Sequence, residues 1–180
     1  MDINKTGFNG LVIIEPKVFS DDRGYFFEAW NRDVFVKAGI PADYAQDNQS
    51  GSVRNVIRGL HLQLSPHAQG KLVRVVKGAV LDVAVDLRRN EPTFGQHFKI
   101  KLHAGDHRMV YIPQGFAHGF RTLEDDTIFL YKCTHAYHKD SEYTIRWDDP
   151  DLGIDWETSE PVLSEKDRQA PPFSEFNSPF

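Results

Sequence analysis

The stretch from Lys71 to Leu87 constrains the fold more than any other. Lys71–Val76 and Ala79–Leu87 are two β-branched runs with only the tight-turn signal Lys77-Gly78 between them. In the second run Leu81, Val83, Val85 and Leu87 alternate with Asp82, Ala84 and Asp86, the two-residue period of a strand. Asp82 and Asp86 then read as a solvated strand face or as turn-end hydrogen-bonding groups, with one of them available to orient His118. Further extended runs are predicted at Gly10–Ile14, Tyr25–Glu28, His97–Leu102, Arg108–Ile112, Ile128–Thr134 and Tyr143–Trp147. Helix signals are confined to two short pieces. One is capped by Asn31 and closed by Gly39 and Pro41; the other is a turn over Ser164–Asp167. With no long helix between strands, a doubly wound α/β sheet is excluded and an all-β antiparallel sandwich or barrel is expected. Pro150–Pro161 reads as irregular, and the proline-rich end from Ala170 is expected on the surface.

At 180 residues the chain is expected to form a single domain, residues 1–180. Its one cysteine, Cys133, excludes an intrachain disulfide framework and a cysteine-cluster metal site. A net charge of -5 argues against a nucleic-acid footprint covering a whole face, although it leaves room for an anionic small ligand in a locally positive cleft. No apolar run reaches membrane-span length, and Met1–Lys5 opens nothing like a signal peptide, so a cytoplasmic chain without membrane or nucleic-acid partners is expected.

A small barrel with one open mouth holds its ligand against inward-facing side chains, so the polar residues on strands matter most. Arg58-Gly59-Leu60-His61-Leu62-Gln63, as a regular strand, puts Gly59, His61 and Gln63 on one face, Arg58 and Leu60 on the other. Pro113-Gln114-Gly115-Phe116-Ala117-His118 places His118 just beyond a turn, a Pro-x-Gly-x-x-His pattern characteristic of cupins. Metal-binding cupins supply a His-x-His pair and a nearby Glu; here Gln63 stands at the second histidine position and Gln69-Gly70-Lys71 at the glutamate region. The ligand count falls short of a zinc or iron site, so no metal is expected. Taken singly, each residue has an ordinary reading: His61 and His118 as half-buried polar groups, Lys71 as a rim lysine, Tyr131 as core packing, and Arg23 and Arg58 as surface ion-pair partners.

Together, however, the segments Asp22–Glu28, Gln46-Asp47-Asn48, Asn55–His61, Gln69–Arg74, Ile112–Phe120, Leu130-Tyr131-Lys132, Trp147–Pro150 and Leu163–Asp167 resemble the dTDP-4-dehydrorhamnose 3,5-epimerase family, over about Val12 to Pro171. The resemblance implies a cupin, jelly-roll β-barrel with short peripheral helices. It also implies cofactor-free epimerisation of dTDP-4-dehydro-6-deoxy-D-glucose to dTDP-4-dehydro-L-rhamnose. By motif, His61 would be the base, Asp167 its orienting partner, Lys71 the contact to the keto oxygen and Tyr131 the acid. Arg23, Glu28, Gln46, Asp47, Asn48, Arg58, His118, Glu142 and Lys166 would bind substrate, with Phe26 or Phe27 as a platform for thymine. The resemblance further implies a homodimer in which the N-terminal strand region, with Arg23 and Glu28, serves the neighbouring site, and residues 162–180 fold over the barrel to bring Asp167 to His61. Two other readings share these residues: a nucleotide-sugar cupin acting at a single carbon or as a ketoisomerase, and a sugar-binding cupin without catalysis.

Overall fold

The computed structural model describes all 180 residues. Its strands are β1 (Asp2–Lys5), β2 (Val12–Glu15), β3 (Val18–Asp21), β4 (Gly24–Phe27), β5 (Gln46–Ser52), β6 (Ile57–Gln63), β7 (Lys71–Lys77), β8 (Ala79–Asp86), β9 (His97–His103), β10 (Met109–Ile112), β11 (Phe116–Thr122), β12 (Thr127–Cys133) and β13 (Glu142–Thr144). The only α-helices are α1 (Arg32–Lys37) and α2 (Glu165–Arg168). A six-stranded sheet, β1-β2-β10-β7-β12-β5, faces a five-stranded sheet, β13-β6-β11-β8-β9, in jelly-roll fashion; β3 and β4 form a separate hairpin. The chain is therefore all-β, as expected. The tight turn at Gly78 does not close a hairpin. β7 pairs with β10 and β12, β8 with β11 and β9, and the turn carries the chain from one sheet to the other. Glycine is required there because φ is +77° and an added Cβ would press on Thr127.

Three apolar layers hold the sheets. Val73, Val75, Val80, Ala84, Val110, Ile112, Phe116, Phe120 and Phe129 fill the space between them. On the outer face of the six-stranded sheet, Ile14, Leu72, Met109 and Tyr111 pack beneath Phe35, Ile40 and Ala42. Phe35 belongs to α1, whose N-terminus is capped by Asn31 Oδ1 accepting from the backbone N–H groups of Asp33 (3.0 Å) and Val34 (3.3 Å). On the outer face of the five-stranded sheet, Leu60, Leu62, Leu81, Val83 and Val85 are covered by Leu152, Trp156 and Phe176 from the C-terminal region.

That third layer corrects two expectations. The apolar face of β8 points outward, under the C-terminal segment, so Asp82 and Asp86 face the barrel interior and are both fully buried instead of solvated. The carboxy-terminal end likewise does not simply ride on the surface. Phe176 and Ser178 are buried, the Ser178 hydroxyl donates to the Leu87 carbonyl, and the Arg89 N–H donates to the Phe180 carbonyl at 3.0 Å. Such a cover converts one strand face into core and frees the other to carry charge toward a ligand.

β6 departs from regular alternation. Opposite β11, His118 pairs with His61 but Phe120 pairs with Arg58, so β6 carries one extra residue at Gly59-Leu60. Parity slips there. Arg58 joins His61 on the cavity side, while Ile57, Leu60 and Leu62 pack outward. Gly59 has φ +129°, and a Cβ on it would lie 2.5 Å from Gly119 Cα and 2.8 Å from the His118 carbonyl oxygen. Gly59→Ala is expected to lower the free energy of unfolding in urea by at least about 2 kcal/mol. Gly51→Ala, where nothing lies within 4 Å of the added Cβ, should change it by under about 1 kcal/mol.

Candidate active site

Inward-pointing residues at one end of the two sheets are polar, and they enclose a cavity. β5 contributes Gln46, Asn48 and Ser50, β6 Arg58, His61 and Gln63, β7 Lys71, β11 His118, β12 Tyr131 and Cys133, and β13 Glu142. The cavity has two adjoining lobes. His61, Lys71 and Tyr131 line both, which places these three groups at the seam.

His61 is tied to the far end of the chain. Its Nε2 lies 2.6 Å from Asp167 Oδ1, and the Ser164 hydroxyl donates to Asp167 Oδ2 at 2.6 Å. Ser164 also accepts from the Asp167 N–H at 3.1 Å, capping α2. Asp167 is 3% exposed. Burial pushes its carboxyl up, but hydrogen bonds from His61 and Ser164, the His61 charge and the Gly59 backbone together hold it below the usual carboxylate range.

Lys71 Nζ donates to the His61 carbonyl at 3.3 Å and makes no other hydrogen bond within the chain. Burial pulls its ammonium down from the ordinary lysine value, against the opposing attraction of Cys133, Asp82 and Glu142. A desolvated ammonium with donors to spare is a strong partner for an oxygen that gains charge. Burial pushes the Tyr131 phenol up, as does the neighbouring Cys133, with Arg58 opposing. Tyr131 therefore stays protonated and able to donate.

His118 and Asp82 make a second buried imidazole–carboxylate pair, with Nε2 and Oδ2 2.8 Å apart. Burial pulls His118 down, outweighing Asp82, and Lys71 and His61 add to the effect. Glu142 closes the opposite wall. Lys166 Nζ is 2.5 Å from Oε1, and the Tyr137 hydroxyl donates to Oε2 at 3.0 Å. Burial raises the Glu142 carboxyl, but these two bonds carry it to a net lowering. Gln46 Oε1 accepts from the Tyr137 N–H at 2.6 Å and its amide donates to Asn48 Oδ1 at 2.8 Å. Arg58 reaches Ser52 Oγ at 3.2 Å, leaving much of its guanidinium free beside the cavity.

Other predicted site residues lie elsewhere. Asp47 faces the opposite side of β5 from Gln46 and Asn48 and pairs with Lys132 at 2.7 Å. Arg23, Phe26 and Phe27 sit on the β3–β4 hairpin, and Glu28 follows it, bonded to Asn31 at 3.0 Å. Arg23 pairs only with its neighbour Asp21, and Phe26 is 69% exposed. None of these lines the cavity of its own chain.

No group of three or more His, Cys, Asp or Glu side chains converges as a metal-ligand set. At the position of the missing second histidine, Gln63 works as a clamp between two loops. Its amide donates to the carbonyls of His67 (2.7 Å) and Ala136 (3.3 Å), and its Oε1 accepts from the His138 N–H (2.8 Å).

The family model for dTDP-4-dehydrorhamnose 3,5-epimerase matches residues 5–175. The chain belongs to the dTDP-4-dehydrorhamnose 3,5-epimerase family. It is 49% identical over 177 residues to the enzyme of that name from Pseudomonas aeruginosa, covering 97% of each chain. It is similar to the crystal structure of the epimerase from Elizabethkingia anophelis, with TM-score 0.94, 47% identity and 98% of each chain covered. The Legionella pneumophila dTDP-6-deoxy-D-glucose-3,5-epimerase in complex with dTDP-4-keto-L-rhamnose matches with TM-score 0.93 and 44% identity, over 98% of this chain and 94% of that one. A 3'-monoepimerase from Streptomyces bikiniensis, bound to dTDP-quinovose, shares the fold at TM-score 0.90 and 35% identity, over 95% of this chain and 87% of that one.

As an epimerase-family cavity, this one contains residues that sequence reasoning gave no part in the site: Cys133, Ser50, Phe120 and Tyr137. Strand parity offers the missing signal for Cys133, two residues beyond Tyr131, and for Ser50, two beyond Asn48. Tyr137 lies in a loop, where periodicity says nothing.

Asp167 links the site to stability. Its lowered carboxyl contributes stability that is fully present above the unfolded-chain value of about 3.9 and is lost as pH falls through the lower folded value. Ser164→Ala removes one of the bonds that lower it, along with the cap of α2. The variant should lose about 1 kcal/mol at pH 7, and its unfolding free energy should fall less steeply below about pH 4 than that of the parent. Urea titrations across that range check both.

Proposed function

We propose that this chain is a homodimeric, cofactor-free isomerase that inverts C3 and C5 of dTDP-4-dehydro-6-deoxy-D-glucose, giving dTDP-4-dehydro-L-rhamnose. The observation that carries the reading is one cavity lined by an imidazole held by a buried carboxylate, a buried ammonium and a protonated phenol. Both carbons flank the C4 ketone, so each C–H is acidic only because the resulting carbanion delocalises onto the carbonyl oxygen. His61 takes the proton from carbon, and Asp167 orients the ring and stabilises the imidazolium that forms. Lys71 donates a hydrogen bond to the enolate oxygen as charge gathers there, an effect of about 3–4 kcal/mol in a dry site. Tyr131 gives its proton to the same carbon from the other face of the ring. A proton from solvent then recharges the phenolate, and His61 releases its own, so each inversion leaves the proton inventory unchanged.

Binding falls to the polar walls. Arg58, with much of its planar fork uncommitted, suits a phosphate of the diphosphate. The exposed β3–β4 hairpin supports the dimeric part of the reading. Phe19, Tyr25 and Phe26 are exposed and Arg23 is engaged only with Asp21, so this arm has no role in its own cavity and suits the neighbouring protomer's. Asp47 would contribute through its backbone, since its side chain is turned to Lys132. A cytoplasmic setting accords with a charged nucleotide-sugar substrate.

The reading of action at a single carbon has one observation in its favour, the shared fold of the 3'-monoepimerase, and isotope exchange separates the two. In deuterated water, coupled to a reductase that traps product, the parent protein should wash deuterium into both C3 and C5; exchange at C3 alone would establish the single-carbon reading. His61→Asn should abolish wash-in at both positions while retaining nucleotide binding. Tyr131→Phe should keep wash-in better than inversion, and equal loss of both would refute its role as the acid.

The dimeric reading has its own check. Hybrids of His61→Asn chains with Arg23→Ala/Phe26→Ala chains should recover activity above either homodimer, because half the hybrid sites draw an intact arm and an intact base. Sites confined to single chains would show no recovery.

A further inference from the structure

Asp82 has no place in the mechanism above, yet it is fully buried and points between the sheets, behind His118. Its Oδ2 lies 2.8 Å from His118 Nε2, and its Oδ1 has no hydrogen-bond partner in the chain. A carboxylate can only accept, so the proton of this bond belongs to His118 Nε2. Nδ1 makes no hydrogen bond within the chain, and His118 lines the cavity beside Lys71 and Phe120. A buried charge of this kind is costly unless something nearby uses it.

We infer that Asp82 is a positioning residue for the epimerase site: it locks His118 as the Nε2–H tautomer, so that Nδ1 offers a lone pair to a hydroxyl of the bound sugar. The inference rests on the proposed reaction for its kinetic consequence and on geometry alone for the tautomer.

His118, pulled down by burial and by the cations beside it, stays neutral and reads a donor hydroxyl, whereas an imidazolium would call for an anion. The pair is thus a specificity element: a sugar without a hydroxyl donor at that point leaves Nδ1 unpaired.

Two measurements test it. In the parent protein, nitrogen-15 correlation spectra of the histidine rings should show a neutral Nε2–H ring that is lost in His118→Asn and is unchanged between pH 6 and 9; an Nδ1–H tautomer or an imidazolium for that ring would overturn the inference. This arm needs no turnover, so it stands whether or not the reaction is as proposed. For Asp82→Asn, kcat is expected to fall about tenfold or more with KM within about threefold. In the same variant the His118 ring should lose its fixed Nε2–H tautomer in the nitrogen-15 spectra. A folded variant with reduced kcat and the Nε2–H ring retained would mean that Asp82 only packs, and would overturn the assignment. Should the variant not fold, the tautomer in the parent decides.

Discussion

The hydrogen bond between His61 and Asp167 joins residues 106 positions apart, and the rest of the site depends on it. It requires the chain to leave the sheets after β13, cross the outer face of the five-stranded sheet and return as the short helix α2 beside β6. Four residues of helix have no stability of their own. Leu152, Trp156 and Phe176, packed over Leu81, Val83 and Val85, anchor the segments on either side of α2. The same apolar layer that completes the core therefore delivers the carboxylate, and stability and site geometry are coupled through one segment.

That cover also explains where charge is placed. With the apolar face of β8 satisfied outside, Asp82 points inward without depriving the core of area, and the interior divides into an apolar end and a polar end. Lys71, Asp82, His118 and Glu142 share the polar end, where each buried charge has at least one neighbour of opposite sign or a hydrogen bond. Low dielectric strengthens these interactions and makes any unpaired member expensive, which favours a site preorganised before substrate arrives.

Sequence periodicity made most of the architecture legible, and the limits of that legibility are physical. Alternation along Ala79–Leu87 identified the two faces of β8 correctly, but the apolar face was the outer one, because what covers a strand is decided by a segment sixty or more residues away. Regular alternation along Arg58–Gln63 placed Arg58 opposite His61, whereas the extra residue at Gly59-Leu60 brings them together. A bulge of this kind leaves only an ordinary glycine in the sequence. Among the residues carried over by family resemblance, His61, Lys71, Tyr131, Gln46, Asn48, Arg58, His118 and Glu142 meet around one cavity, with Asp167 and Lys166 bonded to its wall. Arg23, Phe26, Phe27, Glu28 and Asp47 do not, and four of those five lie on or just after the β3–β4 hairpin, outside that cavity.

The central claim is spatial: one sugar ring sits between an imidazole and a phenol with an ammonium at its keto oxygen. A crystal structure of this protein with a dTDP-linked 4-keto sugar or its close analogue tests that most directly. The account predicts His61 Nδ1 and the Tyr131 hydroxyl on opposite faces of the ring, with Lys71 Nζ within hydrogen-bond distance of the C4 oxygen. A ring approached by both groups from one face, or a Lys71 turned away from C4, would contradict it.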